Sequence, residues 1–252
     1  MKVYRVEGPA EVKQAYPCAT EGGHFWEEGL PLSREWFAEN LGRYVEGWHA
    51  ADEAGRVVGH LYWAPSERAL VPYRLEEGAA FLYCEWVQRA FQGQGYMRLL
   101  FDAFVEELRA AGCKGILVDG TEIEGYMHRR HFEKRGFRPL GEGLPMYLPL
   151  NQETVWVEPL TPRIPTERTV PVDVLIIGSR FCPVGATTVL YLRRAAEDFP
   201  GQVVLREVPA GREALEQYGV ADGIFLNGRT CFFAPTPEAQ VREAIRREIG
   251  SP

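Results

Sequence analysis

Two glycines set among glutamines, in FQGQGYMRLL at residues 91–100, separate an apolar run from an amphipathic one. A strand, a glycine loop and then a helix N-terminus can bind an anion. The first-turn N–H groups have no internal partner, and the helix dipole turns its positive end toward the loop. Gly93 and Gly95 let the backbone approach a ligand with no Cβ in the way, so the spacing reads as a phosphate or pyrophosphate cradle. A turn that merely links strand to helix uses the same residues. A dinucleotide GxGxxG would need glycine where Arg98 stands, and the Gly-Lys-Ser/Thr end of a P-loop is missing. His128 and His131 share the i, i+3 spacing of a metal pair, but no third ligand is indicated, and a solvated basic helix face accounts for them. Cys84 sits in a buried-looking strand and reads as a small core residue. Trp26, Trp36, Trp48, Trp63 and Tyr73 either line an aromatic pocket or fill the core.

The elements that position these residues follow from periodicity. SREWFAENL reads as a short helix with Ser33 as N-cap. RYVEGWHA and RVVGHLYWA are strands joined through ADEAG, and AAFLYCEWVQ is a buried strand. Met97, Leu100, Phe101, Phe104, Val105 and Leu108 form one apolar helical stripe that ends near Gly112. GILVDG is a strand, GYMHRRHFEKRG a helix and PMYLPL a last strand, so the fold class is mixed α/β. Prolines at 159, 162, 165 and 171 mark an extended linker. The expected division is a domain over 1–150, a linker over 151–170 and a domain over 171–252.

The 252 residues are 46% hydrophobic and 25% charged, the profile of a globular chain, with a formal charge of −7. That charge gives no reason to expect nucleic acid or an anionic membrane as partner. No stretch reads as a signal peptide or a bilayer span. Five scattered cysteines without a CxxC suit reduced thiols, so a cytoplasmic location is expected.

CEWVQRAFQGQGYMRLLFDAFVEELRAAGCKGILV closely resembles the acetyl-CoA signature of the GNAT acyltransferases, with Gln92, Gly95 and Met97 in its Q/R-x-x-G-x-G/A places. HRRHFEKRGFRPL is similar to that family's helix ending in Gly-Phe, here Gly136 and Phe137. YPCAT, ERALVPYRLEEGAAFLYCEWV and the linked second domain look like the YoaP-type branch, which carries a thioredoxin-like tail. The resemblance implies a GNAT acyl-CoA N-acyltransferase fold over residues 20–150. It also implies acetyl-CoA as cosubstrate and direct transfer to a primary amine of a small molecule. The amides of Gln92, Gly93, Gln94, Gly95, Tyr96 and Met97 would hold the pyrophosphate, and the backbone of Trp86 and Val87 the pantetheine arm. Such a site needs a base for the amine and an acid for the leaving thiolate. Glu85, on the strand beside the thioester, is the candidate base, with a carboxylate paired to an arginine as its alternative. Phe132 stands where the family often has an acidic tyrosine, so Tyr126, His128 and His131 are the substitutes. A degenerate acyl-CoA-binding sensor is the rival reading, and a homodimer is left open.

The second domain runs VDVLIIGSRFCPVGATTVLYLRRAAEDF, QVVLREVPA, GREALEQYG, GIFLNGRTCFF and TPEAQVREAIRREI, an order similar to a thioredoxin-like fold. A helix N-terminus would favour a Cys182 thiolate, which keeps a thiol-redox protein as a further alternative. Gly185, however, stands where a resolving cysteine would be, and VADGIFLNG lacks the usual proline. The tail is therefore expected to bind or dimerise rather than to exchange disulfides.

Overall fold

The computed structural model describes residues 1–250 except 142, 144 and 233. Its chain forms two compact units that are not contiguous in sequence: Met1–Glu21 with Ala38–Ala69 and Tyr73–Glu158, and Gly22–Phe37 with Leu70–Pro72 and Pro159–Pro252. The strands of the seven-stranded sheet precede the proline-rich stretch, and those of the four-stranded sheet follow it. The second unit nevertheless takes in Gly22–Phe37, a segment that no local pattern detaches from its neighbours.

In chain order the first part carries β1 (Lys2–Arg5), α1 (Pro9–Val12), α2 (Leu30–Asn40), β2 (Glu46–Ala51), β3 (Val57–Pro65), β4 (Tyr73–Leu75) and β5 (Ala80–Val87). Then come α3 (Tyr96–Ala110), β6 (Gly115–Asp119), α4 (Arg129–Glu133), β7 (Arg138–Pro139), β8 (Pro145–Pro149) and β9 (Val157–Pro159). Seven strands make one sheet in the order β1-β2-β3-β5-β6-β8-β7. All its neighbours are antiparallel except β5 and β6, which run parallel. The stripe expected on α3 is real: Leu100, Phe104 and Leu108 are buried against Leu61, Trp63, Leu82, Ile116 and Val118 of the sheet. Burying each of these large side chains contributes roughly 1.5–3 kcal/mol. The helix stops in a Schellman turn, where the amides of Gly112 and Cys113 reach the carbonyls of Arg109 and Leu108.

Two helices differ from expectation. Ser33 does not cap α2; the helix begins at Leu30, continuing a 3-10 turn over Phe25–Gly29, and Ser33 is buried within it. The helix expected over GYMHRRHFEKRG shrinks to the five residues of α4, because residues 121–128 fold into a turn held by Thr121.

The second unit contains β10 (Val172–Ile177), α5 (Pro183–Glu197), β11 (Val203–Val208), α6 (Arg212–Tyr218), β12 (Gly223–Leu226), β13 (Arg229–Cys231) and α7 (Glu238–Ile249). Its sheet is ordered β11-β10-β12-β13, with β10 parallel to β11 and antiparallel to β12. Phe233, expected at the end of the last hairpin, lies outside the described residues. The segment 22–37 is built into this unit: Thr187 Oγ1 accepts from the Gly29 amide at 2.8 Å and donates to the Trp26 carbonyl at 3.0 Å. Phe25 packs on the core that Tyr191 and Leu192 help to form. No helix among the described residues is long and apolar enough to cross a membrane.

Candidate active site

Beside the glycine loop the central sheet comes apart. β5 pairs with β6 through three residues only, Ala80↔Ile116, Phe81↔Leu117 and Leu82↔Val118. On its other side β5 stays paired with β3 up to Gly59↔Val87, with a register shift that leaves Tyr83 as an extra residue. Such a bulge bends the strand and raises its twist, so the end of β5 leans away from β6 and opens a fork. The two-residue period decides which backbone groups line the fork. The Gln88 amide donates to the Val58 carbonyl, and the Trp86 carbonyl lies against Gly59, so these residues face β3. Glu85 and Val87 therefore face the open edge. Of the two residues expected along a pantetheine arm, Val87 is on that edge and Trp86 is not.

The loop continues from this edge. Gly93 and Gly95 adopt φ of 74° and 90°, left-handed values that side chains other than glycine adopt rarely. A Cβ at Gly93 would meet nothing within 4 Å, and one at Gly95 only Arg98. The first backbone bond of α3 runs from the Leu99 amide to Gly95, so the amides of Tyr96, Met97 and Arg98 precede the helical ladder. Gln92 and Gln94 brace the loop from within, donating to the carbonyls of Val87 and Ala90 at 2.9 Å each. Met97 packs against the first core, so its bulk is directed away from the loop. Glu21, which the sequence did not single out, ties the junction together. It accepts from the Trp86 indole at 3.1 Å and from the Arg89 amide.

The candidate acid and base residues separate. Glu85 is buried, and Arg135 Nη1 donates to both its oxygens at 2.8 and 2.7 Å, with His131 Nε2 3.3 Å away. The Arg135 guanidinium stacks over Phe101 at 4.6 Å. The carboxylate is thus held in an ion pair on the α3 side of the sheet, the alternative that sequence reasoning had left beside the base. Phe132 is wholly buried and has no proton to give. Tyr126 is 46% exposed, and His128 caps α4 by accepting the Arg130 amide on Nδ1. Thr121 pairs with His128 and donates to Met127, which folds this turn back onto the end of β6.

The opposite face of the sheet holds polar groups that sequence reasoning missed. Tyr4, His49, His60 and Trp86 are cross-strand neighbours in one row. His60 is fully buried, stacks on Tyr62 at 4.3 Å and has Nε2 3.5 Å from Cys84 Sγ. Burial drives its pKa well below the usual value, so it is neutral. Asp119 ends β6 one residue beyond the last pair with β5. The Tyr73 hydroxyl donates to its Oδ1 at 3.1 Å, and burial lifts its pKa to about 6 despite that bond. The aspartate was legible only as the fifth letter of GILVDG. Among the described residues no group of three or more His, Cys, Asp or Glu is placed to hold a metal ion.

In the second unit Cys182 is the N-cap residue of α5. Burial raises its pKa, Asp222 raises it further, and the Val184 and Gly185 amides pull it down by less. The helix terminus therefore does not leave Cys182 a ready thiolate. A Cβ at Gly185 would lie 2.9 Å from the Ser179 carbonyl, so a resolving cysteine has no room there.

A fork in a seven-stranded sheet, followed by a loop of open amides, defines an acyl-CoA-binding class of fold. The model described as the acetyltransferase (GNAT) family matches residues 11–137, half of the chain. The chain belongs to that family. Among solved structures it is similar to a GNAT family acetyltransferase from Brucella melitensis in complex with acetyl-CoA. That match has 19% identity and TM-score 0.43, covering 62% of this chain and 95% of that one. It is also similar to the ribosomal-protein-S18-alanine N-acetyltransferase from Escherichia coli, at 18% identity and TM-score 0.44, covering 61% and 96%. Likeness of this degree assigns no substrate. None of the curated proteins matches the sequence.

Proposed function

We propose that the chain is an N-acetyltransferase that moves an acetyl group from acetyl-CoA directly to a primary amine of a small molecule. The observation that carries this reading is the fork beyond Leu82 and Val118, which opens beside a loop of unengaged first-turn amides. The pyrophosphate would lie on the amides of Gly93, Gln94, Gly95, Tyr96 and Met97; the Gln92 amide, also expected there, instead donates to the Arg89 carbonyl at 3.3 Å. Arg98 at the same terminus adds a positive charge. The residues fit such a group, since the space above Gly93 is clear. The Val87 backbone would align the pantetheine arm. Bound acetyl-CoA supplies an activated acyl carbon. The protein's part is to align the amine, remove its proton and return one to the thiolate. Tyr126 and His128, in the turn that Thr121 holds after β6, are assigned to serve the thiolate.

The second unit is read as a thioredoxin-like module without redox chemistry. Its strand order supports the likeness, and the closed space at Gly185 and the raised Cys182 pKa support the inactivity. A cytoplasmic location and a small-molecule acceptor remain parts of the same proposal.

The test of the cradle is the melting temperature with and without acetyl-CoA, because a ligand that binds only the folded state raises it. Gly95→Asn and Gly95→Asp have nearly the same shape and share the strain of a positive φ, so they differ mainly in charge. The ligand shift should survive in the asparagine variant and vanish in the aspartate one. An equal shift in both would remove the pyrophosphate from this loop.

A further inference from the structure

Asp119 is a carboxylate without a cation among the described residues. It lies one step past Val118, where β6 leaves β5, and it shares a sheet face with Leu117 and hence with Phe81. The Tyr73 hydroxyl donates to it, and among the described residues no lysine, arginine or histidine pairs with it. Lys114, the nearest cation in sequence, has Glu76 at 3.0 Å and Glu153 at 3.8 Å, and Arg129 has Glu122 at 3.1 Å and Glu133 at 3.7 Å. Pro145, opposite Asp119 on β8, is uncharged. An aromatic row starts at the carboxylate: Tyr73, which touches it, stacks near Phe81 with centroids 6.4 Å apart, and Phe81 lies 5.8 Å from Tyr83. A half-buried carboxylate beside aromatic faces is costly unless a positive group completes it.

We propose that Asp119 receives the acceptor's ammonium group at the fork, with Tyr73, Phe81 and Tyr83 as its aromatic wall, and takes its proton before acyl transfer. This rests on the reading of the chain as an amine acetyltransferase and names the acceptor class, a small cationic primary amine. Asp119 gains one proton from the ammonium. The freed nitrogen lone pair forms a bond to the thioester carbonyl carbon, and the carbon–sulfur bond breaks. The departing thiolate gains the nitrogen's second proton, and Asp119 returns its own to solvent. The Tyr73 hydroxyl fixes the carboxylate and leaves one oxygen for the amine. Asp119 serves as base only when ionised, so the rate should rise with pH through about 6. Tyr73 on β4 is the titratable group in contact with it, and burial together with the Asp119 charge pushes the phenol pKa up, so Tyr73 stays neutral across that range.

The test uses the full chain with CoA in place of acetyl-CoA, so that binding is read without turnover. Phenethylamine, putrescine and the neutral control phenethyl alcohol are compared by melting temperature in wild type, Asp119→Asn and Tyr73→Phe. The expected result is a shift with the two amines in wild type, a smaller one in Tyr73→Phe and none in Asp119→Asn, which still responds to CoA. Equal amine shifts in wild type and Asp119→Asn, or no amine shift in either, would overturn the inference. With acetyl-CoA present, Asp119→Asn should lose roughly 100-fold in kcat/KM together with the rising limb near pH 6. CoA release at the wild-type rate and pH profile in Asp119→Asn would refute Asp119 and leave acetyl transfer standing. Binding of amines at Asp119 with no CoA release from any of them would refute acetyl transfer and leave the amine site standing.

Discussion

Arg135 grips Glu85 with a single nitrogen, Nη1, that lies 2.8 and 2.7 Å from the two carboxylate oxygens. Glu85 has 4% of its side chain exposed and Arg135 17%, so each needs the other. Removing one partner of such a pair leaves an uncompensated charge, at a cost of roughly 3–5 kcal/mol when burial is complete. Glu85→Gln should therefore lower the melting temperature strongly while leaving kcat per folded molecule within a few-fold of wild type. Thermal denaturation and CoA release, measured on the same sample, check this. A stable Glu85→Gln protein with turnover down 100-fold would make Glu85 the base after all.

Residues 22–37 belong structurally to the second unit, and Gly29 is where they press closest. A Cβ there would lie 2.6 Å from Thr187 Oγ1 and closer still to the Pro183 carbonyl and Thr187 amide. Gly29→Ala should destabilise the protein by about 3 kcal/mol, because backbone atoms in a packed contact yield little. Chemical denaturation of Gly29→Ala beside Gly211→Ala separates crowding from backbone effects, since Gly211 has nothing within 4 Å and an extended φ of 176°. Equal midpoints for the two variants would contradict the docking of this segment.

The legible and illegible parts of the chain divide by distance along it. The α3 stripe, β5, β6 and the alternation of the second unit were readable because each is a local period of 3.6 or 2. The glycine loop was readable because its chemistry sits in consecutive amides. Arg135 lies fifty residues from Glu85 and Thr187 158 residues from Gly29, and no local pattern announces either contact. Ser33 looked like a cap because serine favours that place. Leu30 and the preceding 3-10 turn carried the helix past it instead. Asp119 gained meaning only when the register showed where β5 and β6 part.

Disulfide exchange by the second unit needs a thiolate and a resolving thiol. Cys182 is raised by burial, and Cys231, with Sγ directed at the Ile224 carbonyl, is pushed up to about 12. The full chain should fail to catalyse insulin reduction by dithiothreitol, and Cys182→Ser should leave CoA release unchanged. Multiple-turnover reduction that Cys182→Ser abolishes would restore the redox reading.

Asp119 carries a stability signature independent of turnover. Its folded pKa of about 6 lies above the usual 3.8, so the folded state holds the proton more tightly than the unfolded one. The contribution is fully present below pH 3.8 and is lost as pH rises through 6, about 3 kcal/mol in all. Asp119→Asn lacks this loss, so its stability relative to wild type should improve from pH 4 to pH 8. Urea midpoints at the two pH values measure it. A difference between variant and wild type that does not change with pH would mean that the carboxylate is already compensated in the fold.

Direct transfer is the central claim, and a single-turnover experiment meets it head on. Enzyme in excess is mixed with acetyl-CoA and phenethylamine, quenched at intervals and analysed by mass spectrometry for CoA, N-acetylated amine and intact protein. The account predicts that CoA and acetylated amine appear together, mole for mole and at one rate, with the protein mass unchanged throughout. Protein heavier by one acetyl group, with CoA released before any acetylated amine forms, would contradict direct transfer and point to Cys84 beside His60. Acetyl-CoA bound and left intact would mean that the chain senses acyl-CoA without spending it.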